Sequence, residues 1–158
     1  MSGPLQSTLC AAAAAILAWV ACAGSAPGGA RSAVALAPSG EQFFLEIAAD
    51  DRARALGYMF RASVGSNEGM LFVFDAPGRH GIWMKNCRVA LDILWLDARY
   101  RVVHMEAGRP PCPPDGPCPS AVPPVAASYV LELAAGSAAR AGLRVGDVVV
   151  VVWDEGRR

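Results

Sequence analysis

The amino-acid sequence predicts a mostly β (α+β) fold, a compact β-barrel-like or sandwich domain of about seven strands with two short helices. Three observations lead there. Short runs rich in aromatic and β-branched residues recur between Gly, Pro, Asp and Asn turns over residues 41–154. No βαβ rhythm, glycine-rich nucleotide motif or internal repeat interrupts them. With 158 residues, 54% hydrophobic and 18% charged, the chain can build one real core and is not a disordered polymer. Fourteen basic residues balance fourteen acidic ones, which argues against a nucleic-acid partner or binding to an anionic membrane surface.

The first charged residue is Arg31, and LCAAAAAILAWVACA (9–23) before it is apolar. Fifteen such residues suit a signal-peptide core better than a transmembrane helix, which needs about 20. Residues 1–23 therefore read as an export signal. Ala21-Cys22-Ala23 fits a cleavage site, Val20-Ala21-Cys22 fits lipoprotein processing with Cys22 acylated, and an uncleaved anchor is the third alternative. Each places the domain outside the cytoplasm, periplasmic or extracellular, with membrane contact only through this segment or its lipid. Residues 24–40, rich in Gly, Ser, Ala and Pro, read as a flexible linker, and 41–154 as a single domain expected to be monomeric.

Within that domain FFLEIA (43–48) reads as the first strand. Asp50 or Asp51 can cap a short helix through DRARALGYM, with Gly57 near its end. MLFVF (70–74) is apolar on both faces and reads as a buried strand. GIWMK and LDILWLD are strands separated by NCRVA, and ARYRVVHMEA is another, entered through a hairpin turn at Asp97-Ala98-Arg99. Residues 107–125 hold eight of the twelve prolines and form an irregular loop. YVLELAA is a strand, Ser137 caps the helix AARAG, and Gly146-Asp147 turns into VVVVVW.

Cysteine usage agrees with export. Cys112 and Cys118 flank a proline-rich Asp115-Gly116 turn, a spacing that suits a small disulfide loop rather than a zinc or thioredoxin-type site. Cys87 is then a spare thiol.

The polar residues of IWMKNCRVALDILWLD raise the functional question. Of fourteen basic residues thirteen are arginine, and the one lysine is Lys85. Asp92 shares a strand face with Leu94 and Leu96, so it is expected to be buried and to need a cation or hydrogen-bond donors. A ligand-binding cluster of Arg61, Lys85, Asn86 and Asp92 at the barrel rim would carry surplus positive charge, suited to a carboxylate or phosphate. A structural salt bridge, or a carboxylate capping amides of the NCRVA turn, explains Asp92 as well. Glu46 and Glu132 read as solvent-facing by alternation, and His80 and His104 are too few for a zinc site.

Several motifs together resemble one family. GYMFR (57–61), EGMLFVF (68–74), IWMKNC (82–87), ALDILWLD (90–97), the proline-flanked cysteine pair, YVLELAAG (129–136) and GLRVGDVV (142–149) come in the order seen in the prokaryotic family named domain of unknown function 192. The resemblance spans about residues 43–153. It implies a compact β-rich domain, often exported, and no established activity. Tyr58 stands where leucine is usual and Cys87 where threonine is usual, so the resemblance implies no thiol chemistry. AGLRVGD also resembles the small-helix-then-strand unit of PDZ domains, as local geometry only.

These readings converge on an exported, non-enzymatic binding or accessory module for a small anionic ligand, with no cofactor. Two alternatives stand beside it: an envelope hydrolase using Asp92 or Cys87, and a soft-metal (copper) protein using Met59, Met84 and Cys87.

Overall fold

The computed structural model describes residues 32–153. The export segment, Cys22 and the start of the linker lie outside the described residues. The elements run β1 (Ser32–Leu36), β2 (Gln42–Ala48), α1 (Asp51–Leu56), β3 (Glu68–Gly78), β4 (Leu91–Leu96), β5 (Val102–Arg109), β6 (Ala127–Ala134), α2 (Ser137–Arg140) and β7 (Val150–Trp153). The seven strands make one curled, half-barrel sheet in the order β5-β4-β6-β3-β2-β1-β7. Only β2 and β3 pair in parallel, because α1 carries the chain back across the sheet between them. At one end the outer strands meet: Val102 donates to Asp147 O at 2.8 Å and Val149 to Tyr100 O at 3.1 Å. The mostly β fold read from the sequence is the fold observed.

Strand parity sorts the core into two layers. Leu94, Leu96, Leu71, Leu131 and Leu133 project into the barrel interior with Phe43, Leu45 and Leu143. Leu91, Ile93, Trp95, Met70, Phe72 and Val130 project from the other face, under Tyr58, Ile82 and Met84. β4 is consequently buried along its whole length. Trp95 is fully buried and its Nε1 donates to His80 O at 2.7 Å, so truncating it would remove on the order of 3–5 kcal/mol.

Local signals were sound where the chain supplies its own partners. Asp50 Oδ1 accepts from Ala53 N at 2.8 Å and caps α1. Asp97 Oδ1 accepts from Arg99 N and Arg101 N at 2.8 and 2.9 Å, fixing the turn between β4 and β5. Cys112 and Cys118 form the expected disulfide, with Cα atoms 5.3 Å apart.

Three features differ from the sequence reading. Residues 32–36, read as linker, form β1, paired on one side with β2 and on the other with β7. GIWMK keeps the alternation of a strand but makes only the bridge Ile82–Ala121, since the prolines around Ala121 lack the amides that would extend a ladder. Ser137 does not cap α2. Gly136 is the capping position at φ 85°, and the Ser137 hydroxyl donates to Ser66 O at 3.1 Å.

Candidate functional site

Asp92 is fully buried, as its neighbours demand, but among the described residues no cation pairs with it. Oδ1 accepts from Gly108 N at 2.7 Å and Oδ2 from Ala138 N at 2.9 Å. The carboxylate ties β4 to the bend in β5 and to the first turn of α2, where amide donors point outward. The expected compensation by Arg61 and Lys85 is thus replaced by backbone amides, which serve a buried carboxylate equally well.

Arg61 is engaged elsewhere. Its two Nη atoms grip both carboxylate oxygens of Glu46, the second pair at 2.6 Å, and its guanidinium lies 4.9 Å from the Tyr58 ring centre. The hydrogen bonds from Arg61 hold the Glu46 carboxyl below its ordinary range despite partial burial. Asn86 takes the left-handed conformation at φ 57° and its carbonyl accepts from Phe60 N at 2.8 Å. That bond fastens the turn after α1 to the Lys85-Asn86-Cys87 turn. The four proposed site residues therefore do not assemble. Lys85 and Asn86 stand together, Arg61 is adjacent but neutralised, and Asp92 belongs to another part of the fold.

What does assemble is an open cleft of about 530 Å³ between the 83–88 turn and the disulfide loop. Lys85, Arg88, Asn86, Trp83 and Phe60 line one wall, and Pro113, Pro114, Gly116 and the disulfide line the other. Lys85 Nζ sits 5.3 Å from the Trp83 ring centre. Among the described residues neither Lys85 nor Arg88 has a carboxylate within salt-bridge distance.

A second, smaller cavity of about 60 Å³ adjoins it, sharing Trp83 and Cys87 as wall. Its floor is Glu132, which sequence alternation had placed in solvent. The residue is 4% exposed, and burial pushes its carboxyl up to about 8. Leu56, Tyr58 and Trp83, which line the same cavity, cover this face of β6, so alternation does not expose it. The signal available in the sequence was a lone acid in an otherwise apolar strand, the same signal that singled out Asp92.

Neither alternative gains a Cys–His pair or a cluster of three His, Cys, Asp or Glu among the described residues, while Met59 and Cys87 both line the small cavity. Burial, aided by the charge of Glu132, pushes the Cys87 thiol up to about 11, so it is protonated and a poor nucleophile at neutral pH. His80 stacks on Phe74 with ring centres 3.6 Å apart, and His104 lies 5.2 Å from Trp95. Neither makes a hydrogen bond to Cys87 among the described residues. Met84 is a core residue at 1% exposure, and Met59 sulfur accepts from Asn86 Nδ2 at 3.8 Å. Among the described residues no group of three His, Cys, Asp or Glu could hold a metal ion.

Comparison with known proteins agrees with this fold. The model of the DUF192 family, described as an uncharacterized ACR, matches residues 34–151. The chain belongs to the DUF192 family. Solved structures with this fold include a protein of unknown function from Novosphingobium aromaticivorans DSM 12444, 32% identical, with TM-score 0.64 over 75% of this chain and 83% of that one. Another, from Sinorhizobium meliloti 1021 and provisionally described as a transcription regulator, is 26% identical, with TM-score 0.69 over 81% of this chain and 98% of that one. No curated protein matches the chain. DUF192 membership and the half-barrel account for the fold and leave the activity to be argued from the site.

Proposed function

We propose that this DUF192 protein is an exported, monomeric, non-catalytic binding domain whose 83–88 cleft takes a small anionic ligand, a carboxylate or phosphate, and no nucleic acid. One observation carries the reading. Among the described residues Lys85 and Arg88 have no carboxylate partner, and they line a cleft with aromatic and proline surface, including Phe60 at 57% and Trp83 at 44% exposure. Exposed aromatics beside unneutralised cations suit a ligand with a charged head and an apolar body. The Cys112–Cys118 disulfide that forms the far wall supports an oxidising, extracytoplasmic setting.

Calorimetry with phenylacetate and with inorganic phosphate tests this. Binding of at least one of them should weaken tenfold or more in Lys85→Met and in Arg88→Gln. Equal affinity in the wild type and both variants would overturn the assignment of the cleft.

A further inference from the structure

The small cavity beside the cleft holds a carboxyl group with nothing to bind. Glu132 makes no hydrogen bond or salt bridge among the described residues, and its side chain lines the cavity. Its cross-strand neighbours Met70 and Ile93 are apolar. The titratable groups around the cavity are Tyr58 after α1, Cys87 on the 83–88 turn, and Arg54 on α1. Arg54 is already committed, donating to Ala49 O at 2.7 Å, to Val73 O at 2.8 Å and to Asp51 at 2.5 Å. Tyr58 and Cys87 are both protonated at neutral pH, since burial and the Glu132 charge raise them. Gly57, at φ 46°, closes the cavity with backbone alone, and a Cβ there would stand 4.0 Å from Glu132 Oε2.

We propose that this cavity is the seat of a primary ammonium group carried by the ligand, so that the ligand of the combined site is a zwitterion of amino-acid type. The second clause rests on the cleft reading above, and the first does not. The cavity's 60 Å³ is room for about two water molecules, which an ammonium with one attached methylene fills. A carboxylate out of water needs a cation or several donors, and an ammonium brings one charge and three donors in one compact group. Tyr58, Phe72 and Trp83 supply aromatic lining of the kind that favours a desolvated cation. Trp83 and Cys87 wall both cavities, and the proposed zwitterion passes beside them, its anionic end at Lys85 and Arg88 and its cationic end at Glu132. The proton balance is simple. An ammonium that binds the protonated acid converts it to the carboxylate, and the acid proton passes to solvent.

Calorimetry on the full chain with propylamine, propionate and 4-aminobutyrate separates the two claims. At pH 7, in buffers of different ionisation enthalpy, propylamine should bind with release of about one proton, unaltered in Lys85→Met and lost in Glu132→Gln. In the wild type, carbon-13 NMR of the Glu132 carboxyl should show its titration midpoint fall by about two pH units or more on adding propylamine, a readout independent of how Glu132→Gln folds. 4-Aminobutyrate should bind at least tenfold tighter than propionate, and Glu132→Gln should erase that advantage. Propylamine that leaves the Glu132 titration unmoved would overturn the ammonium seat, whatever propionate does. Propionate affinity indifferent to Lys85→Met, with the amine response intact, would instead remove the anion cleft and the zwitterion with it.

Discussion

Ala138 donates its amide hydrogen to Asp92 Oδ2 at 2.9 Å, across 46 positions of sequence. A side chain on a central strand thus completes the first turn of a four-residue helix whose own capping position, Gly136, has no side chain to offer. With Gly108 on the other oxygen, Asp92 holds three elements in register.

Replacing this carboxylate should be the costliest polar change in the domain. Asp92→Ala strands the buried amide of Ala138 and releases the amide of exposed Gly108, a loss of about 2–3 kcal/mol. Asp92→Asn, which keeps one acceptor oxygen, should fall between. Urea denaturation checks this through a lowered midpoint at constant slope.

Glu132 should act in the opposite sense and depend on pH. Its folded-state value, about 8, lies above the ordinary 4.5, so between those limits the native protein holds a proton that the unfolded chain has released. Stability therefore falls as pH rises through that window and levels off above it. Glu132→Gln should flatten the decline and be more stable than wild type at pH 8. Thermal unfolding at pH 5 and pH 8 for both proteins gives the comparison, and a wild-type curve as flat as the variant's would contradict the burial cost.

The Arg61–Glu46 pair should matter little to stability. Its side chains keep 37% and 46% of their exposure, so solvent screens the attraction. A double-mutant cycle with Arg61→Ala and Glu46→Ala should return a coupling of about 0.2–1 kcal/mol, smaller in high salt. Lys85→Met, at an exposed position, should stay within about 0.5 kcal/mol of wild type.

Reduction should loosen one wall of the cleft. The disulfide closes a loop with a sequence separation of 6 and is worth about 2 kcal/mol by loop-closure entropy. Reductant should lower the melting temperature and weaken anion binding together. A large melting shift with unchanged binding would show that the loop does not shape the cleft.

Sequence legibility followed the distance to each residue's partner. Asp50, Asp97 and the cysteine pair find their partners within six positions, and each was read correctly. The alternation of Leu91, Ile93 and Trp95 was equally plain, because pleating is a property of the strand itself. Asp92 was recognised as buried, yet its donors come from β5 and α2, which no local pattern announces. Glu132 was misplaced because alternation alone cannot say whether a strand's second face is covered. Here the cover comes from Tyr58, Ile82 and Met84, which lie far from β6 in sequence. The SAVAL segment looked like linker for a similar reason, since one of its two partners is the last strand.

That last pairing covers a sheet edge. Without Val150 to Trp153, Ala33 to Leu36 would still dock on β2 but present a bare ladder of amides and carbonyls on their outer side. A variant truncated after Val149 would invite strand addition from a neighbouring polypeptide, and β7 acts as the molecule's own guard against aggregation.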